Sequence, residues 1–508
     1  MPSDDSRLSQ SQLESHLWQA ANLLRGKIDS SDFKHYIFAL LFYKRLSDVW
    51  EEEAEDPPRE HRFRVPEGVL WPSVCQTREQ IGQRLDEAFR VIESSNPRLQ
   101  GVFQGVVFAN RDRFPDSTLR LLLRHFEKHR LGHADVEPDM LGNAYEYLIA
   151  RFADDAGKKG GEFYTPKQVA RLLVGCLEPA PGMSLYDPAC GSGGMLLEAV
   201  HAARELGGKK GTLQLFGQEM NLSTWAICRM NLVLHDIDDA SIVRGDTLRA
   251  PGHTEGDGLR RFDRVLANPP FSLKGWGHEV WVGGDPWGRD RYGCPPAQYG
   301  DLAFVQHMLA SLAPGGRLGV VLPHGILFRG HAEGRIRQAL VEDDLVEAVI
   351  GLAPNLFYGT GIPACVVLMR SGKPAERRGK VLFVDGSKAV SRGKNQNRMS
   401  DDDVVQLSTA YHRFADQPGF SKVASLEEIA DQGFDLGIGR YVESPDLAPT
   451  TNPRELLERV EALQRELAEH DTTMWRQLAD LGYPELLTDH PAPGVEDGPD
   501  SDPQGGSS

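Results

Sequence analysis

The sequence predicts an α/β protein in which a parallel sheet is covered on both faces by helices. Three patterns indicate this arrangement: helical periods without strand-like alternation over 1–150, short apolar runs alternating with helical periods from about 160, and a heptad-like apolar stripe after 452. We therefore expect an N-terminal all-α domain (1–150), an α/β domain (151–445), a C-terminal helical extension (446–485) and a disordered acidic tail (486–508).

The N-terminal region is predicted to be helical because its apolar residues recur every three to four positions. Leu13 to Leu24 form one such period, and Phe33 to Leu46 form a second, which Ser31 or Asp32 caps. A charged, proline-containing break and three further amphipathic periods complete the region, at 51–60 and at 78–93, 116–128 and 137–153.

The α/β region is predicted from short apolar runs of strand length. These runs lie at 183–187, 213–219, 262–267, 316–322, 345–350 and 364–369. Helical periods separate several of them, at 195–206, 222–235 and 301–312. The alternation is typical of βαβ units, which build a parallel sheet.

The last helix is predicted to begin at Asn452 and Pro453, an N-cap and first-turn pair. Its apolar residues follow a/d spacing, with His470 in one slot: Leu456, Val460, Leu463, Leu467 and Met474. Such a stripe either binds helices of another chain or packs on the N-terminal domain.

The composition excludes some classes of protein. The 508 residues include 56 Lys+Arg and 73 Asp+Glu, a formal net charge of −17, so no global positive field attracts a polyanion. Contact with nucleic acid then depends on a partner or on local clusters: Lys158-Lys159, Lys209-Lys210, Arg377-Arg378-Lys380 and Arg392-Lys394-Arg398. The start of the chain lacks an apolar signal region, no apolar run approaches the ~18 residues of a membrane helix, and the 6 cysteines lack metal-ligand spacing. We expect a cytoplasmic protein without metal or membrane contact.

A glycine-rich turn is the first candidate site. The segment DPACGSGGM at 187–195 follows a strand candidate and opens a helix, so its glycines let the backbone approach a ligand closely. Glu219 and Asp246, at later strand ends, are placed to bind ribose hydroxyls and an adenine amino group. The turn lacks the P-loop pattern and departs from the strict G-x-G-x-x-G fingerprint. The combination predicts a nucleoside ligand at the carboxyl ends of the strands.

A second loop, GGEFYTPK at 160–167, is predicted to lie at a helix start with Thr165 as N-cap and Pro166 in the first turn. Its backbone N–H groups suit a carboxylate, and Phe163 and Tyr164 suit a sulfonium or an adenine face. The alternative is an ordinary capped helix with two core aromatics.

The most informative motif is Asn268-Pro269-Pro270-Phe271, directly after the strand candidate FDRVLA. A chain of this length contains N-P-P-[FY] by chance with odds on the order of one in a few hundred. The Asn268 amide oxygen and the Pro269 carbonyl offer two acceptors for an exocyclic amine, and the prolines preorganise them. Phe271 offers a face for an extruded base. The motif predicts in-line methyl transfer from a sulfonium to an adenine amino group.

These motifs resemble, in their order, those of amino-group DNA methyltransferases that use S-adenosylmethionine: FYTP (163–166), DPACGSGG (187–194), QE (218–219), GDTL (245–248) and NPPF (268–271). Further segments resemble the modification subunit of type I restriction-modification systems: WQAANLLRGKID (18–29), FYKRLSD (42–48), GKKGGEFYTP (157–166), GKNQN (393–397) and DLGIGRYV (435–442). The similar segments together span most of the chain from about 12 to 482.

The resemblance implies a Rossmann-like S-adenosylmethionine-dependent methyltransferase domain over 151–445. It implies a cofactor site made of Glu162, Phe163, Tyr164, Thr165, Pro166, Lys167, Asp187, Gly191, Ser192, Gly193, Gly194, Glu219 and Asp246. Within that site, Glu219 would bind the ribose and Asp246 the adenine of the cofactor. The target base would be bound by Asn268, Pro269, Pro270 and Phe271.

The resemblance also implies partners. The enzyme would methylate N6 of a flipped adenine in double-stranded DNA, as part of a prokaryotic phage-defence complex. A separate specificity subunit would choose the sequence, a restriction subunit would carry translocation and cleavage, and two modification subunits would accompany each specificity subunit.

Three alternatives stay open on the sequence alone. They are an N6-adenine methyltransferase of another phage-defence system, a protein-glutamine methyltransferase whose carboxamide substrate fits the same acceptors, and a non-catalytic scaffold that binds the cofactor as a regulatory ligand. The loop 274–300, rich in Gly, Trp and Pro, either closes over the flipped base or contacts the duplex.

Overall fold

The computed structural model describes residues 8–25, 33–55, 61–156, 165–207, 213–357, 361–391, 397–443 and 453–480. The chain divides into two compact units, Met1–Glu443 and Ser444–Ser508. Among the described helices, none combines the length and the apolar character that crossing a membrane requires.

The first unit begins with seven described α-helices, and strands and helices are interspersed after them. Its described helices are α1 (Gln10–Leu24), α2 (Phe33–Glu55), α3 (Trp71–Cys75), α4 (Ile81–Ser95), α5 (Asp116–Phe126), α6 (Pro138–Ala156), α7 (Lys167–Leu177), α8 (Gly194–Glu205), α9 (Leu222–Leu234), α10 (His278–Trp281), α11 (Asp301–Ala310), α12 (His331–Glu342), α13 (Asp401–Arg413) and α14 (Leu426–Asp431). Its strands are β1 (Ser184–Asp187), β2 (Gln214–Glu219), β3 (Ser241–Arg244), β4 (Thr254–Glu255), β5 (Gly258–Leu259), β6 (Phe262–Ala267), β7 (Leu312–Pro323), β8 (Val346–Leu352), β9 (Ala364–Arg370), β10 (Lys380–Gly386) and β11 (Ser421–Ser425).

Nine strands form one sheet in the order β11-β10-β8-β9-β7-β6-β1-β2-β3, and β4 and β5 form a separate pair. The neighbours from β7 through β6, β1 and β2 to β3 are parallel, as are β8 and β10. β9 runs antiparallel to both β7 and β8, which gives β8 the direction of β7. The carboxyl ends of β1, β2, β3, β6, β7, β8 and β10 therefore share one edge of the sheet, called the carboxyl edge below.

The predicted α/β fold is confirmed, but the predicted parallel sheet is mixed, because β9 and β11 run antiparallel to their neighbours. The six predicted strands are present, as β1, β2, β6, β7, β8 and β9. A parallel return from β8 to β9 would need a crossover element, and no helix lies in the described part of 353–363. The sheet also contains β3, of which only the end near Asp246 was predicted, and β10 and β11, which were not predicted as strands.

The N-terminal helices and the sheet share one hydrophobic core. It includes Phe38 on α2, Leu148 on α6, Trp225 on α9 and Val366 on β9. Val367, the next residue along β9, belongs to a second core on the opposite face of the sheet. The sheet is therefore covered on both faces. The predicted domain boundary at 150 falls inside α6 and stays a prediction.

The predicted break at 51–60 begins later than expected, because α2 continues through Glu55. Two of its acidic side chains are held by the chain itself: Glu52 accepts the Ala134 N–H at 3.0 Å, and Glu53 lies 3.0 Å from the His61 ring nitrogen. Residues 56–60 and the predicted caps Ser31 and Asp32 lie outside the described residues.

The described part of the second unit is one helix, α15 (Pro453–Asp480). Its apolar stripe is exposed to between 44% and 63%, at Val460, Leu463, Leu467 and Met474. Asn452, the side chain of Leu456 and the predicted tail lie outside the described residues.

Candidate active site

The predicted site residues that the structure describes lie along the carboxyl edge. Asp187 ends β1, Glu219 ends β2, Asp246 follows β3, and Asn268 follows β6. Since β1 lies between β2 and β6, the glycine-rich turn and Asn268 are on neighbouring strand ends. Three residues of the predicted cofactor site lie outside the described residues: Glu162, Phe163 and Tyr164.

Two hydrogen bonds fix the backbone of the glycine-rich turn, one from α9 and one within the turn. Asn231 on α9 donates through Nδ2 to the Ser192 carbonyl at 3.0 Å, and the Gly193 N–H donates to the Cys190 carbonyl at 2.8 Å. Gly193 has φ +83°, and a Cβ there would lie 2.9 Å from Cys228 Sγ. The turn therefore requires glycine at this position.

Glu219 and Asp246 already accept hydrogen bonds from the backbone. Glu219 accepts the N–H groups of Asn221 at 2.7 Å and Gly191 at 3.1 Å, one on each oxygen. Asp246 accepts the N–H groups of Leu248 at 3.0 Å and Arg249 at 3.2 Å through Oδ1, and its Oδ2 lies 3.3 Å from Arg249 Nε. Both oxygens of Glu219 and Oδ2 of Asp246 keep a lone pair for hydroxyl or amino groups of a nucleoside.

Asp187 is the least satisfied acid of the site. Its side chain is buried, Oδ1 accepts the Ala189 N–H at 3.0 Å, and Oδ2 has no hydrogen-bond partner within the described chain. Burial, with a smaller contribution from the charge of Glu219, raises the pKa of Asp187 from 3.8 to about 8. A donor or a positive group beside Oδ2 would stabilise the carboxylate. The orphaned oxygen therefore fits a cofactor that carries an ammonium group and hydroxyls, as S-adenosylmethionine does.

The Asn268 amide is oriented by Thr165. Asn268 Nδ2 donates to Thr165 Oγ1 at 3.0 Å, and the buried Oδ1 has no partner within the described chain. The prediction of Thr165 as N-cap is wrong: Pro166 occupies the N-cap position of α7 and makes no side-chain capping bond. Because the Thr165 hydroxyl accepts the amide N–H, the two loops singled out in the sequence meet, and the amide oxygen is left for a ligand.

The residues after Asn268 are fixed by two long-range contacts. The Phe271 ring meets Phe357 edge-on, with centroids 5.7 Å apart. Ser272, whose φ is +52°, donates its N–H to Asp301 Oδ1 at 2.9 Å. Asp301 is fully buried at the start of α11, and burial raises its pKa. The sequence analysis missed Asp301, because a single acid at a helix start carries no signal of a contact 29 residues away.

Lys167 contacts two acidic side chains. Its Nζ lies 3.3 Å from Glu198 on α8 and 4.0 Å from Glu146 on α6. Burial raises the pKa of Glu146, and the charge of Lys167 opposes that rise. Both acids were missed in the sequence, since they belong to amphipathic helices whose acids are ordinarily solvated.

The loop 274–300 is a packed insertion. Trp276 and Trp281 are 1% exposed and form a small core with Leu248. Inside it, Arg289 pairs with Asp285 at 2.6 Å, and both side chains are fully buried. The loop thus reinforces the segment that carries Asp246.

Of the basic clusters, Arg377-Arg378-Lys380 lies at the start of β10, on the edge of the sheet opposite the site. Arg377 bonds to the buried Glu347 at 3.1 Å, so its charge is used within the chain. Lys158-Lys159, Lys209-Lys210, Arg392 and Lys394 lie outside the described residues. The described residues contain no group of three or more His, Cys, Asp or Glu side chains placed to hold a metal ion.

A Rossmann-like sheet with a glycine-rich turn, acids on three successive strand ends and an amide acceptor on the fourth defines an S-adenosylmethionine-dependent methyltransferase. The N-6 DNA methylase family model matches residues 136–448, and the HsdM N-terminal domain model matches residues 13–126. The chain belongs to the N-6 DNA methylases, as a modification subunit of the type I restriction-modification kind. It is an adenine-specific DNA methyltransferase whose cofactor is S-adenosylmethionine.

Individual relatives agree with this assignment. The HindI type I methylase subunit of Haemophilus influenzae is 32% identical, over 79% of this chain and 93% of its own length. The MjaVII methylase subunit of Methanocaldococcus jannaschii is 31% identical, over 89% of this chain and 81% of its own length. The crystal structure of a type I methyltransferase subunit from Streptococcus thermophilus superposes with a TM-score of 0.76 at 32% identity, over 86% of this chain and 100% of that one.

Proposed function

We propose that this chain methylates N6 of an adenine that has left the DNA duplex, at sites chosen by a separate specificity subunit. The observation that carries the proposal is the Asn268 amide, whose Nδ2 is held by Thr165 while its buried Oδ1 has no partner in the described chain. An unpaired buried acceptor is costly unless a ligand donates to it. The amino group of a flipped adenine is such a donor.

The amino group is a weak nucleophile because its lone pair is delocalised into the purine ring. Asn268 Oδ1 and the Pro269 carbonyl accept its two N–H groups and favour a pyramidal nitrogen with an available lone pair. Phe271, braced by Phe357, provides a face for the base. The nitrogen would form a bond to the methyl carbon as the carbon–sulfur bond of the sulfonium breaks, and it would release one proton to solvent.

The cofactor residues act by placement. S-adenosylmethionine supplies a methyl group on a positively charged sulfur. Asp187 Oδ2 is available to its ammonium or hydroxyl groups, and Glu219 and Asp246 to its ribose and adenine. The left-handed turn at Gly193 keeps side-chain atoms away from this face. Since β1 and β6 are adjacent, the two proposed ligand sites are on neighbouring strand ends of the carboxyl edge.

We assign recognition of the DNA sequence to a partner, because this chain has few features that suit sequence recognition. Its net charge is −17, and the exposed stripe on α15 suits helices of a specificity subunit. We assign two modification subunits to each specificity subunit, and a restriction subunit to the complete assembly.

The decisive experiment is co-expression with a candidate specificity subunit, followed by sequencing of host DNA for N6-methyladenine. We expect methylation of one recognition sequence, only when both chains are present. Methylation by this chain alone, or transfer of labelled methyl groups to protein glutamine instead of DNA, would contradict the proposal. The isolated chain should bind duplex DNA weakly and without sequence preference in a gel shift.

The role of α15 has its own test. Leu463→Glu with Leu467→Glu places charges in the exposed stripe and should abolish co-purification with the specificity subunit. Arg465→Glu adds the same charge on the opposite side of the helix, where Arg465 is 77% exposed, and should leave the complex intact. Equal losses from both changes would show that the stripe is not the interface.

A further inference from the structure

A second concave site lies on the carboxyl edge, away from the glycine-rich turn. It is an open pocket of about 610 Å³ between the ends of β7, β8 and β10 and the segment 435–440. Its lining includes three apolar and three charged side chains: Phe328, Leu352, Ile438, Asp385, Asp435 and Arg440. Ligand pockets span about 300–1,000 Å³, so this one has room for a nucleotide.

Phe328 stands at the pocket with more than half of its surface in solvent. It is 56% exposed, although it follows a buried strand and the buried residues Ile326 and Leu327. An exposed aromatic ring beside a pocket offers a stacking face for a nucleic-acid base, and such stacking is sequence-tolerant.

The charges of the pocket favour a base edge over a phosphate. Among the described residues that line it, Arg440 is the only lysine or arginine, and its Nε bonds to Asp435 at 2.6 Å. Asp385 accepts the Ser387 N–H at 2.9 Å and adds a second carboxylate. Carboxylates repel phosphate oxygens and accept N–H groups, whereas the half-exposed Arg440 donates to carbonyl oxygens.

The pocket is tied to the target-base loop through the residue that follows Phe328. Arg329 stacks on Tyr299 at 4.2 Å and approaches Asp301 Oδ2 at 3.7 Å. The other oxygen of Asp301 holds the N–H of Ser272, directly after Phe271. The residues that directly follow Phe328 and Phe271 therefore approach the same buried carboxylate.

From this arrangement we infer that Phe328 and the pocket bind the base on the opposite DNA strand that loses its partner when the target adenine leaves the duplex. The inference rests on the proposed function. The pairing edge of this base is free once the adenine has left, and an unpaired base costs less to take out of the stack than a paired one, which frees a face for Phe328. Opposite adenine it is a thymine, with one N–H donor for Asp385 and two carbonyl acceptors for Arg440. Binding it slows the return of the adenine.

The test compares two DNA duplexes in binding assays with the complex of this chain and its specificity subunit. One duplex carries thymine opposite the target adenine, and the other carries an abasic site there. Phe328→Ala should weaken binding of the first duplex about tenfold, since stacking on one base contributes about 1–3 kcal/mol. It should change binding of the abasic duplex less than twofold, and Phe328→Trp should restore the first value.

A matched control is Val405→Ala, since Val405 on α13 is a similarly exposed apolar residue, at 61%. It should leave both affinities unchanged. An equal loss on both duplexes, or no loss on either, overturns the inference, as does loss of the specificity subunit from the Phe328→Ala complex. Methylation by the wild-type complex is scored separately, so that failure of the proposed function is distinguished from failure of the pocket.

Discussion

The two parts of the carboxyl edge differ in how far the chain itself satisfies their polar groups. At β2 and β3, the carboxylates of Glu219 and Asp246 already accept backbone N–H groups. At β6, the Asn268 oxygen is buried and has no partner within the described chain. The carboxylates of the cofactor part are thus hydrogen-bonded without a ligand, whereas the target-base part has one buried acceptor without a partner in the described chain. Asp187, between them, combines both conditions, with one oxygen satisfied and one not.

The largest expected effect comes from removing the unpaired acceptor, the amide oxygen of Asn268. Asn268→Ala should lower kcat for methyl transfer about 10²–10³-fold, the usual cost of one preorganised polar group at a reacting centre. Cofactor affinity should stay unchanged, because Asn268 belongs to the target-base part. Labelled methyl transfer and calorimetric cofactor titration measure the two quantities. Unchanged turnover would refute the mechanism.

The second effect concerns the cofactor part, at its glycine-rich turn. Gly193→Ala forces a side chain into a left-handed conformation and to within 2.9 Å of Cys228 Sγ, so cofactor affinity should fall about 10–100-fold. Gly182→Ala is the matched control, since Gly182 has φ +90° with open space around it. It should lower the melting temperature slightly and leave cofactor affinity unchanged. Equal affinity losses would show that the contact at Gly193 is unimportant.

A smaller effect is expected where the two parts meet. Thr165→Val keeps the shape of the side chain and removes the hydrogen bond to Asn268 Nδ2. The change should lower kcat about tenfold, which is about 1.4 kcal/mol and the upper end of what one hydrogen bond contributes. Thr165→Ser keeps the hydroxyl and should restore turnover. If serine and valine behave alike, Thr165 does not orient the amide.

The smallest effect is a pH dependence at Asp187. Its pKa near 8 means that the buried carboxyl is largely protonated at neutral pH, whereas an ammonium or hydroxyl partner favours the ionised form. Cofactor affinity should therefore rise from pH 6.5 to 7.5, by about threefold to tenfold for one displaced proton. The rise should be absent in Asp187→Asn. A flat profile in the wild type would place the cofactor's polar groups away from Oδ2.

Much of the fold follows from local patterns, and what was missed depends on long-range pairing. The apolar runs predicted β1, β2 and β6, since buried parallel strands are apolar throughout. The apolar runs did not predict that β9 is antiparallel, because a short apolar run carries no information about strand direction. The edge strand β11, SKVAS, lacks apolar alternation and is defined by its bonds to β10.

The same limit applies to the site. Motif residues such as Asn268 and Asp187 were identified because the chemistry requires their residue types after a strand. Their roles as ligands stay predictions. The residues that orient them were missed or misread: Thr165 was expected to cap a helix, and Asp301 carried no local signal. Such supporting contacts join residues 29 and 103 positions apart, which periodicity does not report.

Helix α9 contacts both the sheet and the N-terminal helices. It covers β2 and β3. At its other face, Tyr145 of α6 donates to the Ile227 carbonyl at 3.3 Å. The ring of His235, just beyond the helix, occupies the space that a side chain at Gly142 would need. Interchanging the residues before β1, which include α6, between relatives would thus leave mismatched surfaces on this helix. Shuffling of modification subunits, in nature or in the laboratory, should succeed only when α9 travels with the segment it supports.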